Sequence, residues 1–337
     1  VAAGLAYLFL PHEAILSIGG PAFWLFSGII LAGAVVENMR NIALSTTVTL
    51  LVPGVMRDKA NGMVGTVQGV AFMVTTVFSG LSIGFLGMGW TLAVAVGLMA
   101  VALVHLVLVV QIPESEIYHD PKLKGKEIDL KGSIAAIRSV PGLAWLIVFT
   151  TLNNLTGGVF MTLMDPYGLT LFPVEAWGMV LGATSTGFIV GGIIVAKKGL
   201  GANPLRTMLF VNVVIAVVGT LFTIREWGVL CVVGLWIFMC LNPIAEAAEQ
   251  TILQRVVPLK RQGRVFGLAQ AVESASSPIS AFLIGPIAQF ALIPFMASEA
   301  GQDMFGWLLG SGEARGAALV FLITGIGLLV VVLYAFT

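Results

Sequence analysis

Charge is what this chain has least of. Asp, Glu, Lys and Arg together make up 10% of its 337 residues, against an apolar share of 58% and a mean hydropathy of +1.01. Soluble domains devote about a quarter of their residues to charge, so a water-soluble globule is excluded and a polytopic membrane protein indicated. Cysteine is as sparse: Cys231 and Cys240 lie in one apolar segment on different helix faces, which suits neither a disulfide framework nor a metal site. Both read as small core residues. There is no HExxH, no GxSxG, no Walker-type loop and no cluster of histidines, so a membrane-embedded enzyme ranks last among function classes. No metal, cofactor or nucleic-acid partner is expected.

What is present is a succession of apolar runs, each long enough to supply the roughly 20 helical residues that cross a bilayer. They fall at about 22–52, 61–86, 90–112, 142–164, 174–196, 205–224, 228–254, 264–293 and 315–337. Residues 1–10 are apolar but too short to span. With no basic n-region and no small-residue cleavage site, they read as the remnant of a helix in an amino-terminally truncated chain rather than as a signal peptide. The expected fold class is therefore an all-α polytopic membrane protein with nine complete transmembrane helices plus a helix remnant.

The basic residues give the orientation. Fourteen of 17 fall in alternate connections: Arg57 and Lys59; Lys122, Lys124, Lys126, Lys131 and Arg138; Lys197, Lys198 and Arg206; Arg255, Lys260, Arg261 and Arg264. By the positive-inside rule these connections are cytoplasmic. The longest hydrophilic piece, 113–141, reads as a cytoplasmic linker between an amino-terminal bundle at 1–112 and a carboxyl-terminal six-helix bundle at 142–337. Within it Leu130, Ile134 and Ile137 recur at helical spacing, as in a helix lying on the membrane surface or bridging the bundles. Residues 294–314 read as an outer loop dipping into the interface.

An internal repeat is visible. Val52/Val257, Pro53/Pro258, Lys59/Arg264, Gly62/Gly267, Gly80/Gly285 and Thr46/Thr251 are each separated by 205 residues, an ordered set that argues for duplication. A repeat of that length, with six spans after the linker, implies a first half of six spans and an intact chain of twelve. Gly62, Gly80, Gly267 and Gly285 suit close helix approach, and Pro278 and Pro286 a bent helix.

This organisation resembles the major facilitator superfamily. Gly192-Ile193-Ile194-Val195-Ala196-Lys197-Lys198-Gly199 is similar to the superfamily's Gly-x-Leu-Ala-Asp-Arg-x-Gly turn, with Ala196 in the acidic position. Leu51-Val52-Pro53 with Arg57-Asp58-Lys59-Ala60-Asn61-Gly62, and Val256-Val257-Pro258 with Arg261-Gln262-Gly263-Arg264-Val265-Phe266-Gly267, are similar to turns of the branch holding macrolide-efflux proteins and the enterobactin exporter. That resemblance implies two pseudosymmetric bundles and drug:proton antiport. Where drug exporters often place an Arg early in the fourth helix, this chain has Gly33, and Arg40 lies two turns deeper.

A charge at the centre of a spanning helix costs about 2.5–3.5 kcal/mol on insertion scales, so buried ionisable groups face a cavity or a partner. Glu37 and Glu273 fall near the midplane. Glu273 has no basic residue within a helical turn and is the first candidate for a site that loads and releases a proton. Glu37 and Arg40 either work together or form an i, i+3 ion pair that fixes packing. Glu246 and Glu249 either bind substrate or protons, or bridge to Arg255 or Lys260. Polar neighbours share their faces: Asn242 and Gln250 with the latter acids, Gln270, Ser274 and Ser277 with Glu273, Asn41 with Arg40, and Thr151, Asn154 and Thr162 on the helix after the linker. Gln68 aligns with Glu273 through the repeat. His105 reads as a packed or lipid-edge histidine, and Asp165, before Pro166, as a helix terminus. The basic turns, with Arg57, Lys59, Lys197, Lys198, Arg261 and Arg264, either retain the loops inside or also close a cytoplasmic gate by pairing with acids and helix carboxyl ends.

The resulting expectation is a secondary active transporter in the bacterial plasma membrane. It would export an amphipathic small molecule such as a drug or siderophore in exchange for protons, as a monomer with no partner beyond substrate and lipid. The alternative is a non-transporting membrane scaffold or assembly protein of the same fold.

Overall fold

The computed structural model describes residues 20–109, 130–312 and 314–336. The expected remnant at 1–10 and most of the linker, with Lys122, Lys124 and Lys126, lie outside the described residues. The long elements are α1 (Pro21–Leu51), α2 (Arg57–Val109), α4 (Leu143–Leu171), α5 (Val174–Lys198), α6 (Pro204–Leu221), α7 (Gly228–Val256), α8 (Leu259–Ile287) and α11 (Arg315–Ala335). Shorter helices are α3 (Leu130–Ser139), α9 (Ile293–Ala297) and α10 (Glu299–Leu309). Eight helical stretches among the described residues are long and apolar enough to cross a membrane, the two arms of α2 counted separately. The 31-residue α1 adds a ninth long helix. The fold is an all-α polytopic membrane protein.

Local chemistry fixes the ends. Pro21 opens α1, where its missing N–H costs nothing; Val52 and Val257, each before a proline, leave helical geometry and close α1 and α7. Asn203 caps α6 by accepting from the Arg206 N–H, with Pro204 behind it. Gly199 ends α5 at φ 72°, a backbone that a side chain would strain.

The 205-residue repeat reappears in the hydrogen bonds of the turn that follows α1 and of its counterpart after α7. Val52 N–H bonds to Val48 O and Val257 N–H to Leu253 O; Met56 N–H bonds to Pro53 O and Arg261 N–H to Pro258 O. Side chains obey the same offset. Arg57 folds back on the Thr49 and Val52 carbonyls, and Gln262 on those of Gln254 and Val257. Two different residues at matched positions thus satisfy the same free carbonyls at the end of the preceding helix.

Helix α2 reaches across to α5, and glycine permits the approach. A Cβ at Gly62 would stand 2.6 Å from Ala196 N, and one at Gly69 2.7 Å from Phe188 Cβ. Next to them the rings of Phe72 and Phe188 lie 5.9 Å apart. Of the other three glycines singled out from the repeat, Gly267 has only Ile42 Cδ1 near it, at 3.9 Å, and Gly285 faces open space; the side chain at Gly80 lies outside the described residues. A glycine pair matched by the repeat is therefore not matched in packing.

The core is formed by α4–α8 and α11. At the end carrying the basic turns, Leu146, Val195, Leu253, Val265 and Phe266 are buried together; at the far end the rings of Phe160, Phe222 and Phe321 cluster with centroids 5.0–5.9 Å apart. Beside them Arg315 is fully buried. It pairs with Glu226 at 2.9 Å, donates to the Thr223 and Leu309 carbonyls, and reaches Tyr167 Oη. A buried charge is tolerable only with such full pairing. Two equally apolar helices are used oppositely: α11 buries more than half of its span, whereas the Gly89–Val109 arm of α2 buries only Thr91. A helix apolar all round does not reveal from its sequence which it will do.

Several expected boundaries shift. The runs at 61–86 and 90–112 do remain two spans, Gly54–Ser79 and Gly89–Val109, parted by non-helical backbone at Gly87, φ 77°. Helix α4 does not end at Asp165 but continues past Pro166 to Leu171, and Asp165 accepts from Trp177 Nε1. The 294–314 stretch is not a loop: α9 and α10 form there, α10 capped by Ser298 and stopped by Gly310 at φ 81°. Helix α8 carries Pro278 and Pro286 and loosens into a π turn at Ala288–Leu292, where the proline-freed carbonyls relax the register. Helix α3 forms, but Ser133, Ala136 and Ile137 turn inward, Ala136 and Ile137 joining the core, while Ile134 is exposed.

Gly62→Leu is expected to lower the thermal midpoint of the purified protein in detergent, through about 1–3 kcal/mol of overpacking. Gly97→Leu, on an open face, should leave it unchanged.

Candidate polar cavity between the helix groups

A cavity of about 350 Å³ lies between α1 and α2 on one side and α4, α6, α7, α8 and α11 on the other. Its wall on α1 is Asn41, Leu44, Ser45 and Val48, one face at i, i+3, i+4, i+7 spacing. Helix α2 contributes Asn61 and Gln68; α4 contributes Thr150, Asn153 and Asn154; α7 contributes Asn242, Glu246, Glu249 and Gln250; α8 contributes Gln270 and Glu273. Three carboxyl groups and nine carboxamides line it, and neither Lys nor Arg does. Such a wall favours cations and hydrogen-bond donors.

The acids are held at defined places. Glu273 is buried and accepts a short hydrogen bond from Thr150 Oγ1; its carboxyl group lies beside that of Glu249, bringing α8 and α7 together at the cavity wall. Glu246, with more of its surface open, lies beside Gln68 of α2 in the cavity wall. The 205-residue offset pairs Asn41 with Glu246 and Gln68 with Glu273, and all four line the cavity. Carboxamides occupy the first copy's positions and carboxyls the second's.

Toward the end with the basic turns the cavity is closed by a network of neutral side chains. Asn61 Nδ2 donates to Thr251 Oγ1 at 2.9 Å and Gln254 Oε1 at 3.0 Å; Gln254 Nε2 donates to the Ser45 carbonyl and hydroxyl at 3.2 Å; Ser45 Oγ donates to Gln250 Oε1 at 2.7 Å. Beneath it Arg57 adds a bond to the Gln254 carbonyl at 3.2 Å. Asp58, also buried, accepts from the Leu200 N–H at 3.1 Å and from the Lys59 N–H at 2.8 Å. A family model described as Major Facilitator Superfamily matches residues 1–281. The chain belongs to the major facilitator superfamily. It is an integral membrane protein of a family of transporters. Comparison with curated proteins found no match.

Of the residues that sequence reasoning placed at a facilitator-type seam, Glu246, Glu249, Glu273, Asn41, Asn242, Gln270 and Asn154 line the cavity. Glu37 and Arg40 do not. Both are exposed, Glu37 a turn beyond Asn41, and Arg40 donates to Asn41 Oδ1 rather than to Glu37; an exposed pair gains little from ion pairing. Thr151 and Thr162 return their hydroxyls to their own helix carbonyls, and Thr150 and Asn153 take the lining positions. Glu246 and Glu249 make no bridge to Arg255, which is exposed, and the Lys260 side chain lies outside the described residues. Among the basic gate candidates, Arg57 bonds helix carboxyl ends on both sides of the seam; Lys59 and Arg264 are half-buried, and Lys197, Lys198 and Arg261 are exposed.

Sequence reasoning missed Asp58, Asn61, Gln254 and Thr150. The repeat held a signal beside one of them: Thr49/Gln254 and, one turn earlier, Ser45/Gln250 are 205-residue mates, and Ser45 touches both Gln250 and Gln254.

Gln254→Leu removes four of the network's bonds, the three above and a longer one from Gln254 Nε2 to Asn61 Oδ1 at 3.4 Å, and should loosen that end of the seam by about 1 kcal/mol per bond lost net of water. Spin labels at Val55 and Val256 should then show a several-fold larger population at long separations by electron–electron double resonance.

Proposed function

We propose that this facilitator-superfamily member is a secondary active transporter that exports an amphipathic small molecule, of the drug or siderophore kind, in exchange for protons. The observation that carries the reading is the Glu249–Glu273 carboxyl pair, bridged to Thr150, in the wall of a cavity between two helix groups. Two carboxyl groups side by side in a cavity wall repel each other when both are ionised, and one shared proton relieves that repulsion. A cation arriving at the pair displaces that proton, and loss of the cation restores it. That competition is the coupling.

Alternating access supplies the rest. The neutral network at Asn61, Gln254, Ser45 and Gln250 holds one end shut, and its bonds are weak enough to break and re-form as the helix groups rock about the α2–α5 contact. The basic turns face the cytoplasm of a bacterial plasma membrane, the chain works as a monomer, and the proton gradient replaces any cofactor.

In proteoliposomes with a trapped pH dye, ethidium addition should move protons through the wild-type protein. Glu273→Gln should cut that flux at least tenfold while inserting normally, and Thr150→Val should reduce it less. Undiminished proton movement in Glu273→Gln would remove the pair from the mechanism; no ethidium-dependent flux in the wild type would favour a non-transporting scaffold.

A further inference from the structure

The same cavity has apolar and aromatic lining besides its acids. Helix α6 presents Met208, Asn212 and Ile215 to it at i, i+4, i+7 spacing; Phe149 and Phe160 of α4 and Phe238 of α7 line it too, the last two with rings stacked at 6.1 Å. Asn212 is fully buried. Its Nδ2 donates back to the Met208 carbonyl at 2.9 Å, but its Oδ1 has no hydrogen-bond partner among the described residues. An acceptor sealed in an apolar, aromatic recess is costly unless a donor reaches it.

We infer that this recess is a substrate subsite which takes the aromatic end of an organic cation and satisfies Asn212 Oδ1 with an N–H or O–H borne on that ring system. The inference rests on the reading of the cavity as the substrate site and narrows the substrate to a cation whose aromatic part carries a donor. The positive centre sits toward the carboxyls, and the three phenylalanines grip the ring faces. Displacing the recess into an apolar one removes the preference for the donor without removing the preference for the ring.

The test is equilibrium binding to the purified full chain in detergent at one pH, with no gradient, so that it is independent of whether protons are pumped. The probes are ethidium, whose phenanthridinium carries two amines, and the 5-ethyl-6-phenylphenanthridinium cation, the same ring system without them. The wild type should bind ethidium about tenfold more tightly, the worth of one well-made buried hydrogen bond. Asn212→Leu should bring the two affinities together, with an unliganded thermal midpoint unchanged or raised because the orphaned acceptor is gone. Ile215→Trp, which fills the recess, should weaken both probes.

Equal binding of the two probes by the wild type, or of neither, overturns the subsite, as does a discrimination that survives in Asn212→Leu. Parallel loss of both probes in Asn212→Leu assigns the asparagine to packing and overturns the donor contact. Intact binding in Ile215→Trp empties the recess of any role. Discrimination without proton flux, by contrast, sinks the exchange mechanism and leaves the subsite standing.

Discussion

Everything in this molecule depends on how two groups of helices touch without a hydrophobic force to press them together. Lipid is as apolar as leucine, so helices in a bilayer gain from contact only through close packing and hydrogen bonds. Helix α2 meets α5 where Gly62 and Gly69 leave room for backbone, and meets α7 through Asn61, Thr251 and Gln254. One contact is tight and apolar, the other directional and neutral. Together they position the cavity wall, because Asn61 and Gln68 belong to the same helix as those glycines.

The cavity in turn explains the economy of charge. A chain with this little charge places three carboxyls in one space and leaves Lys and Arg out of it. Arg315, fully buried, lies far away and is neutralised on the spot by Glu226 and two carbonyls. The contrast separates two uses of buried ionisable groups. Arg315 is saturated with partners and locks the far end of α11 to the α4 and α6 ends, whereas Glu249 and Glu273 stand in the wall of an open space, with Thr150 donating to Glu273.

Much of this was readable along the chain, and the limits have physical causes. Long apolar runs and their basic flanks gave the membrane helices, because the bilayer imposes a length and a price on charge. The repeat was readable because the same turn was kept twice. Glu246, Glu249 and Glu273 stood out because a lone acid in an apolar helix needs a reason. Asn61 and Gln254 did not stand out, since a single carboxamide in such a helix costs less and its partner lies some 190 residues away. Thr150 was missed for Thr151 by one residue, about 100° of helix rotation. Glu37 was misplaced because depth in the bilayer says nothing about which neighbour a side chain will find.

The matched turns after α1 and α7 make one further point. Position 57 holds a guanidinium and position 262 a carboxamide, yet both reach back to carbonyls five and eight residues earlier. Only the guanidinium has a hand left over to cross to the other side. A chain built from two copies of one pattern thus carries its own paralogue within it: each side chain can be judged against a counterpart that shares its backbone but not its neighbours, and the places where the two copies part company mark where symmetry was given up for a task.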